Sequence, residues 1–471
     1  MSYEQQEYQE FLKSKIFNLK AHGIDVKNAI LNPHLFPFQK DLVRVALKVG
    51  KFCLWAGTGL GKTCMQLSWA DAICSQLGYT VLILAPLGVA KQSVEEGKKF
   101  GIWLKYCADN DDIVEGSINI TNYERIHLFD CSQFGAVILD EASILKNESG
   151  KYRNALIKSF ANTPYKLACS ATPAPNDYME LGSQCEFLGV MTQSEMLSMY
   201  FTHDGGETAK WRLKKHATDE FWKFVCNWAI ILQSPADIGY DGSKYVLPPL
   251  HYHNYVIKSK IRFDQEQLFL HEAKTLAEQR HVRKVTMKKR CQIAADLISK
   301  SDEQWLIWCE TNAESSLLAS LIPDAVEVVG SDKPEFKESS LLDFALGKIR
   351  VLVTKPSIAG MGLNFQSCHN LIYIGLTHSF EAFYQSVRRV WRFGQKHEVN
   401  VYIIQHAAEG AIIRNLQRKE EESKIMISQM LDYVKARNLA LLKGVCKTSV
   451  DYNPKCEMII PDWLKSDDGK M

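Results

Sequence analysis

Short apolar runs separated by amphipathic stretches set the rhythm of this chain. Between Lys51 and about Leu188 the runs 52–56, 80–86, 118–122, 136–140 and 166–171 read as strands alternating with helical segments. The rhythm stops near Gly189 and restarts at Trp305, with runs at 305–309, 325–329, 350–354, 371–374 and 400–404. Such alternation predicts an α/β fold of two tandem lobes, each a parallel sheet wrapped by helices. No sequence repeat links the halves. The stretch between them is aromatic and helical in patches, with a loop-like segment at 235–249, and reads as a helical inter-lobe region. A long helix is expected over 409–443, followed by a loosely ordered tail from Asp451. The expected division is a first lobe with N-terminal extension over 1–188, an inter-lobe region over 189–300, a second lobe over 301–408, and the terminal helix and tail over 409–471.

Composition changes this picture little. The 471 residues are 46% hydrophobic and 23% charged, with a net charge of +2, as in an ordinary globular protein with room for more than one core. Any surface for a polyanion must therefore be local. The first ten or so residues are polar and acidic, so no signal peptide is expected. The longest apolar runs are too short to span a bilayer, and no membrane association is expected. The 13 cysteines are scattered without C-x-x-C pairs, which suits reduced thiols and offers no zinc spacing.

The octapeptide Ala56-Gly57-Thr58-Gly59-Leu60-Gly61-Lys62-Thr63 joins a predicted strand to a predicted helix. Glycines let consecutive backbone N–H groups converge on phosphate oxygens, and the helix N-terminus adds its partial positive charge. Lys62 can reach the outer phosphates of a nucleoside triphosphate and Thr63 can ligate Mg²⁺. Read blandly, the octapeptide is a glycine turn before a helix, with Lys62 a solvated charge. At the end of the run 136–140, Asp140 and Glu141 lie at the strand edge that faces the ligand crevice of a parallel sheet. Asp140 can share the Mg²⁺ with Thr63, and Glu141 can orient and deprotonate a water. The same pair is also a favourable helix start. Ser170 and Thr172 end the next strand and can relay the state of the acid pair to the other lobe, or simply make a turn.

In the second half, Phe380, Phe383, Tyr384, Val387 and Trp391 recur at helical spacing. Gln385, Arg389 and Arg392 fall on the opposite face. Those arginines either meet an anionic target, such as a triphosphate held by the first lobe, or form a solvated basic face. The densest basic run, Arg280, Arg283, Lys284, Lys288, Lys289 and Arg290, can track a nucleic-acid backbone or be a solvated helix face. No base-reading module is visible.

In this order the motifs resemble those of a superfamily 2 helicase or translocase with a DEAD/DEAH-like box. More narrowly they are similar to the Swi/Snf-type ATPases, especially compact stand-alone forms carried by bacteriophages. The resemblance spans roughly 36–405. Phe38-Gln39 resembles the glutamine motif that reads adenine, and 56–63 matches A-x-x-G-x-G-K-T. Asp140-Glu141-Ala142-Ser143 stands at the DEAH-type box, while 85–87 and 121–124 stand at first-lobe nucleic-acid motifs. Leu145-Lys146-Asn147 and the run 385–395, close to Q-x-x-x-R-x-x-R-x-G-Q, favour the Swi/Snf branch. Gly360, Gly362 and Asn364 fall on its G-x-G-x-N loop. The resemblance implies two RecA-like lobes, ATP and Mg²⁺ as cofactors, and Arg389 and Arg392 as arginine fingers. It also implies DNA, single-stranded, duplex or branched, as the non-specific partner. Replication or recombination proteins in the cytoplasm of a bacterial or phage-infected cell are further expected partners. Ser143 departs from the usual His, and 228–232 stands where a paired-arginine motif is expected. An RNA-directed helicase and a catalytically silent DNA- or protein-binding clamp remain the alternatives.

Overall fold

The computed structural model of the chain describes residues 22–26, 31–86, 89–146, 150–174, 177–203, 211–258, 275–359, 364–376 and 379–442. Its strands are β1 (Lys51–Ala56), β2 (Val81–Ala85), β3 (Leu104–Tyr106), β4 (Ile118–Asn122), β5 (Ala136–Asp140), β6 (Tyr165–Ser170), β7 (Phe201–His203), β8 (Trp211–Leu213) and β9 (Ala229–Leu232) in the first half. The second half adds β10 (Leu250–Ile257), β11 (Trp305–Trp308), β12 (Ala325–Glu327), β13 (Val351–Thr354), β14 (Asn370–Ile374) and β15 (Val399–His406). A 7-stranded sheet runs β3-β4-β2-β5-β6-β1-β9, and a 6-stranded sheet runs β10-β15-β14-β11-β13-β12. Every pairing in both is parallel, and β7–β8 forms a separate antiparallel hairpin. These are the expected tandem RecA-like lobes.

Burial is continuous along β2 and β6, as expected when both faces of a parallel sheet are covered. Alternate side chains feed separate cores on the two faces. Cys53 and Trp55 of β1 join one, with Leu82 and Leu84 of β2. Phe52 and Leu54 join the other, with Val81 and Ile83. Because β5, β6 and β1 are neighbours, their C-terminal ends deliver three functional segments to one edge. Asp140 pairs with Cys169, and Trp55 pairs with Ser170. Sheet order, not sequence proximity, builds the site.

The inter-lobe region needs correction. β9 adds to the first sheet beside β1, and β10 adds to the second beside β15. The lobes therefore meet between Leu232 and Leu250, and most of 189–300 belongs to one lobe or the other. The apolar run at 228–232 is thus the edge strand of the first sheet.

The terminal helix, Gly410–Leu442, serves both lobes. Ile412 and Leu416 are buried in the second-lobe core. Met430 is buried in the first-lobe core, with Met426, Ile427 and Leu431 packed against it. The Tyr178 hydroxyl of the first lobe donates to Gln429 Oε1 at 2.9 Å. No helix among the described residues is long and apolar enough to cross a membrane.

Candidate functional site

The loop after β1 closes onto its own helix, Lys62–Leu77, through Gly61 in the left-handed region at φ 80°. The positive φ calls for glycine, and a Cβ there would stand 2.3 Å from Gln39 Nε2 and displace that side chain. Gln39 is buried and fully engaged: its Oε1 accepts from the Phe36 amide at 2.9 Å and its Nε2 donates to the Leu60 carbonyl at 2.8 Å. It thereby braces the loop from behind. Gly57 packs against the end of β9, its amide donating to the Leu232 carbonyl at 2.9 Å. Lys62 Nζ folds back to donate to the Ala56 carbonyl at 2.8 Å.

Asp140 and Glu141 face this loop across the sheet edge. Gln66, one helical turn beyond Lys62, donates to Asp140 Oδ1 at 2.8 Å. Glu141 has φ 61°, the one positive φ outside glycine among the described residues. A residue with a Cβ is disfavoured there, and such strain concentrates at functional sites. Ser170 Oγ donates to Glu141 Oε1 at 2.5 Å and accepts from the Thr172 amide at 3.1 Å. The acid box and the following strand are thus physically linked.

The second lobe completes the cleft. Thr58, Gly59, Gly61, Lys62, Thr63, Asp140, Glu141 and Thr172 of the first lobe line it together with Gln385, Arg389 and Arg392 of the second. The helix expected over 380–392 stops at Val387, and the arginines project from the turn that follows. Arg388 lines the cleft as well, its guanidinium packed 4.2 Å from the Trp391 ring and 5.1 Å from the Tyr384 ring. Phe393 lies directly over the loop, its Cβ 2.9 Å from where a Cβ on Gly59 would stand. Phe393 also stacks on Tyr245 of the inter-lobe connection at 4.7 Å. Lys146 and Glu381 form an ion pair between the lobes.

The electrostatics point to an anionic ligand. Burial pushes the Lys62 ammonium below its ordinary range; Glu141 and Asp140 pull it back, and Arg392 pushes it down again. Arg389 is pushed down to about 10, by burial first and Arg392 next, against the pull of Glu141 and Asp140. Burial lowers Arg392 as well, partly offset by Glu96. Burial raises the Asp140 carboxyl despite its bond from Gln66. Phosphate charge set among three crowded cations would reverse each of their shifts. Thr172 Oγ1, buried on the cleft wall, has no hydrogen-bond partner among the described residues. A nucleoside triphosphate fits this donor set. No group of three or more His, Cys, Asp or Glu suited to a metal occurs among the described residues. Thr63 and Asp140, which both line the cleft, are the residues that could hold Mg²⁺ beside phosphate oxygens.

The basic run divides. Arg280, Lys284, Lys288 and Lys289 are exposed on the helix Leu276–Ile298. Arg290 is fully buried and pairs with Glu409 at 2.9 Å. Arg283 reaches the same carboxylate at 3.2 Å and donates to the Leu376 carbonyl. The expectation that Arg283 and Arg290 bind nucleic acid is therefore corrected: they anchor their helix to the second lobe. Gly362, expected beside the nucleotide, lies outside the described residues, as do Gly360, Asn147 and the tail from Asp451. Sequence reasoning missed Gln66, signalled by its spacing from Lys62. Tyr123 and Phe393 lay within the runs singled out at 121–124 and 385–395, but no role was read from either side chain.

Comparison with known proteins agrees with this geometry. Residues 36–181 match the DEAD/DEAH box helicase family, and residues 288–394 match the helicase conserved C-terminal domain. The chain is similar to the uncharacterized ATP-dependent helicase YqhH of Bacillus subtilis (strain 168), 25% identical over 446 residues, which cover 82% of this chain and 79% of that protein. It is also similar to putative protein p41 of Acyrthosiphon pisum secondary endosymbiont phage 1, 23% identical over 412 residues, covering 75% of this chain and 88% of that protein.

Proposed function

We propose that this chain, which belongs to the superfamily 2 helicases by its paired N- and C-terminal domains, is a DNA-stimulated ATPase that moves along or remodels DNA. One observation carries the reading: Lys62, Asp140 and Glu141 of one lobe share a cleft with Arg389 and Arg392 of the other. Lys62 and the loop amides bind the β- and γ-phosphates, and Thr63 and Asp140 hold Mg²⁺. When bound, that ion neutralises charge on the phosphate oxygens. Glu141, fixed by Ser170, orients the attacking water and accepts its proton. Arg389 and Arg392 stabilise the spreading charge, and Gln385 helps position the phosphoryl end. Hydrolysis then needs both lobes, so ATP closes the cleft and its loss allows opening.

DNA as the track is supported by the Swi/Snf-like run at 145–147 and the run at 385–395. The exposed lysines of the basic helix are a candidate surface for the DNA backbone. A bacterial or phage setting is consistent with the sources of the two relatives, and replication or recombination proteins are the partners that the family resemblance implies. The test is phosphate release without nucleic acid and with single-stranded DNA, duplex DNA, forked DNA and RNA, each also scored for unwinding. Stimulation by one of the DNAs is expected. Stimulation by RNA alone would move the reading to an RNA-directed helicase, and no release under any condition would leave a silent clamp.

A further inference from the structure

Tyr123 follows β4 directly and is 2% exposed. Its hydroxyl crosses the C-terminal edge of the first sheet and donates to the Asp140 main-chain carbonyl at 2.8 Å. That carbonyl belongs to the peptide unit whose nitrogen is the amide of Glu141. Fixing the plane of this peptide fixes one end of the φ rotation that stands at 61° in Glu141. Ser170 holds the other end of the residue, at the carboxylate. The strained residue is thus clamped at backbone and side chain by groups on two different strands' ends.

Tyr123 also faces a second space. A groove between the lobes, continuous with the acid box, is lined by Tyr123, Glu124, Lys146, Lys355, Glu381 and Gln385. The turn Tyr123–Leu128 therefore has the groove on one side and the backbone of the acid box on the other. A strand of nucleic acid laid in the groove would bear on the same turn that aims the hydroxyl.

We propose that Tyr123 is a positioning residue: its hydroxyl holds Glu141 in the left-handed conformation needed to orient water, and it ties that conformation to occupancy of the inter-lobe groove. This rests on the reading of the chain as a nucleic-acid-stimulated ATPase. Tyr123 is not among the residues that line the nucleotide cleft, so its loss should spare ATP binding and slow turnover. Misaligning a reacting group by a fraction of an ångström to an ångström costs ~10-fold to ~100-fold in rate.

The test is Tyr123→Phe in the full chain, which keeps the ring and removes the hydroxyl. Steady-state ATP hydrolysis is measured with and without saturating duplex DNA, alongside DNA affinity and thermal melting. The expected result is a loss of DNA-stimulated kcat of ~10-fold or more, with KM for ATP and DNA affinity within about twofold of wild type. Unchanged kcat would overturn the proposal. So would a loss shared equally by KM, DNA affinity and melting temperature, which marks a merely structural residue. A wild-type chain that hydrolyses no ATP would overturn the parent reading and this one together. An active wild type with an equally active Tyr123→Phe would overturn this one alone.

Discussion

Arg290 Nη2 stands 2.9 Å from Glu409 Oε2, with the two side chains 0% and 2% exposed. Glu409 also accepts from the His406 amide at 3.0 Å, so the carboxylate ties the basic helix to the end of β15. Removing one partner of a buried pair strands the other charge. Glu409→Ala is expected to destabilise the chain by ~3–5 kcal/mol, whereas Arg290→Met with Glu409→Leu should lose far less. Urea denaturation of the single and double variants checks this.

The exposed residues of the same helix should behave in the opposite way. Replacing Lys284, Lys288 and Lys289 by Ala should leave stability within ~0.5 kcal/mol of wild type, as for other surface changes. It should weaken DNA binding and flatten the dependence of log affinity on log salt by ~1 for each phosphate that is no longer neutralised. Titrations at several salt concentrations give the slope directly. An unchanged slope would remove this face from the DNA path.

At the cleft, Lys62→Ala, Glu141→Gln and Arg389→Ala should each cut stimulated hydrolysis by ~100-fold or more while circular dichroism stays that of the wild type. Arg389→Lys should not rescue, because a point charge does not replace a planar fork. Glu141→Gln should retain nucleotide binding. Wild-type turnover in any of these removes the role assigned to that residue.

Lys166 gives a pH dependence of known sign. Its side chain is 1% exposed, donates to the Phe187 carbonyl at 2.8 Å, and is pushed down by burial, with Lys51 adding, from 10.5 to about 7. Between about pH 7 and pH 10 the unfolded chain binds a proton that the folded chain does not. This group's contribution to stability therefore rises with pH across that window, and its penalty is complete below it. The wild type should gain stability relative to Lys166→Met as pH is raised from about 7 to about 9.5, and denaturation at both values measures the difference.

How far the sequence revealed the molecule depended on whether the decisive interactions were local. β4 and β5 and the loop at 56–63 are visible because each is a contiguous pattern with its own chemistry. β10 is not, because its residues 251–255 are polar and aromatic along an exposed edge and fell within the stretch expected to be a helical inter-lobe region. The anchoring of Arg283 is likewise invisible, since its partner Glu409 lies 126 residues further along the chain. Helical spacing aligned Arg389 and Arg392 correctly on one side, yet the helix ends before them and a turn presents them. The Tyr123 hydroxyl and the strain at Glu141 exist only once β4, β5 and β6 lie side by side.

The terminal helix has 33 residues, hence a length of ~50 Å, with Ile412 rooted in one lobe and Met430 in the other. A stiff rod fastened in both lobes does not stretch. When the halves of the molecule separate, the rod must bend or one of its footings must slide. On the proposed reading, the weaker footing would limit how far the two lobes separate, and mutations there would change that limit without touching the cleft.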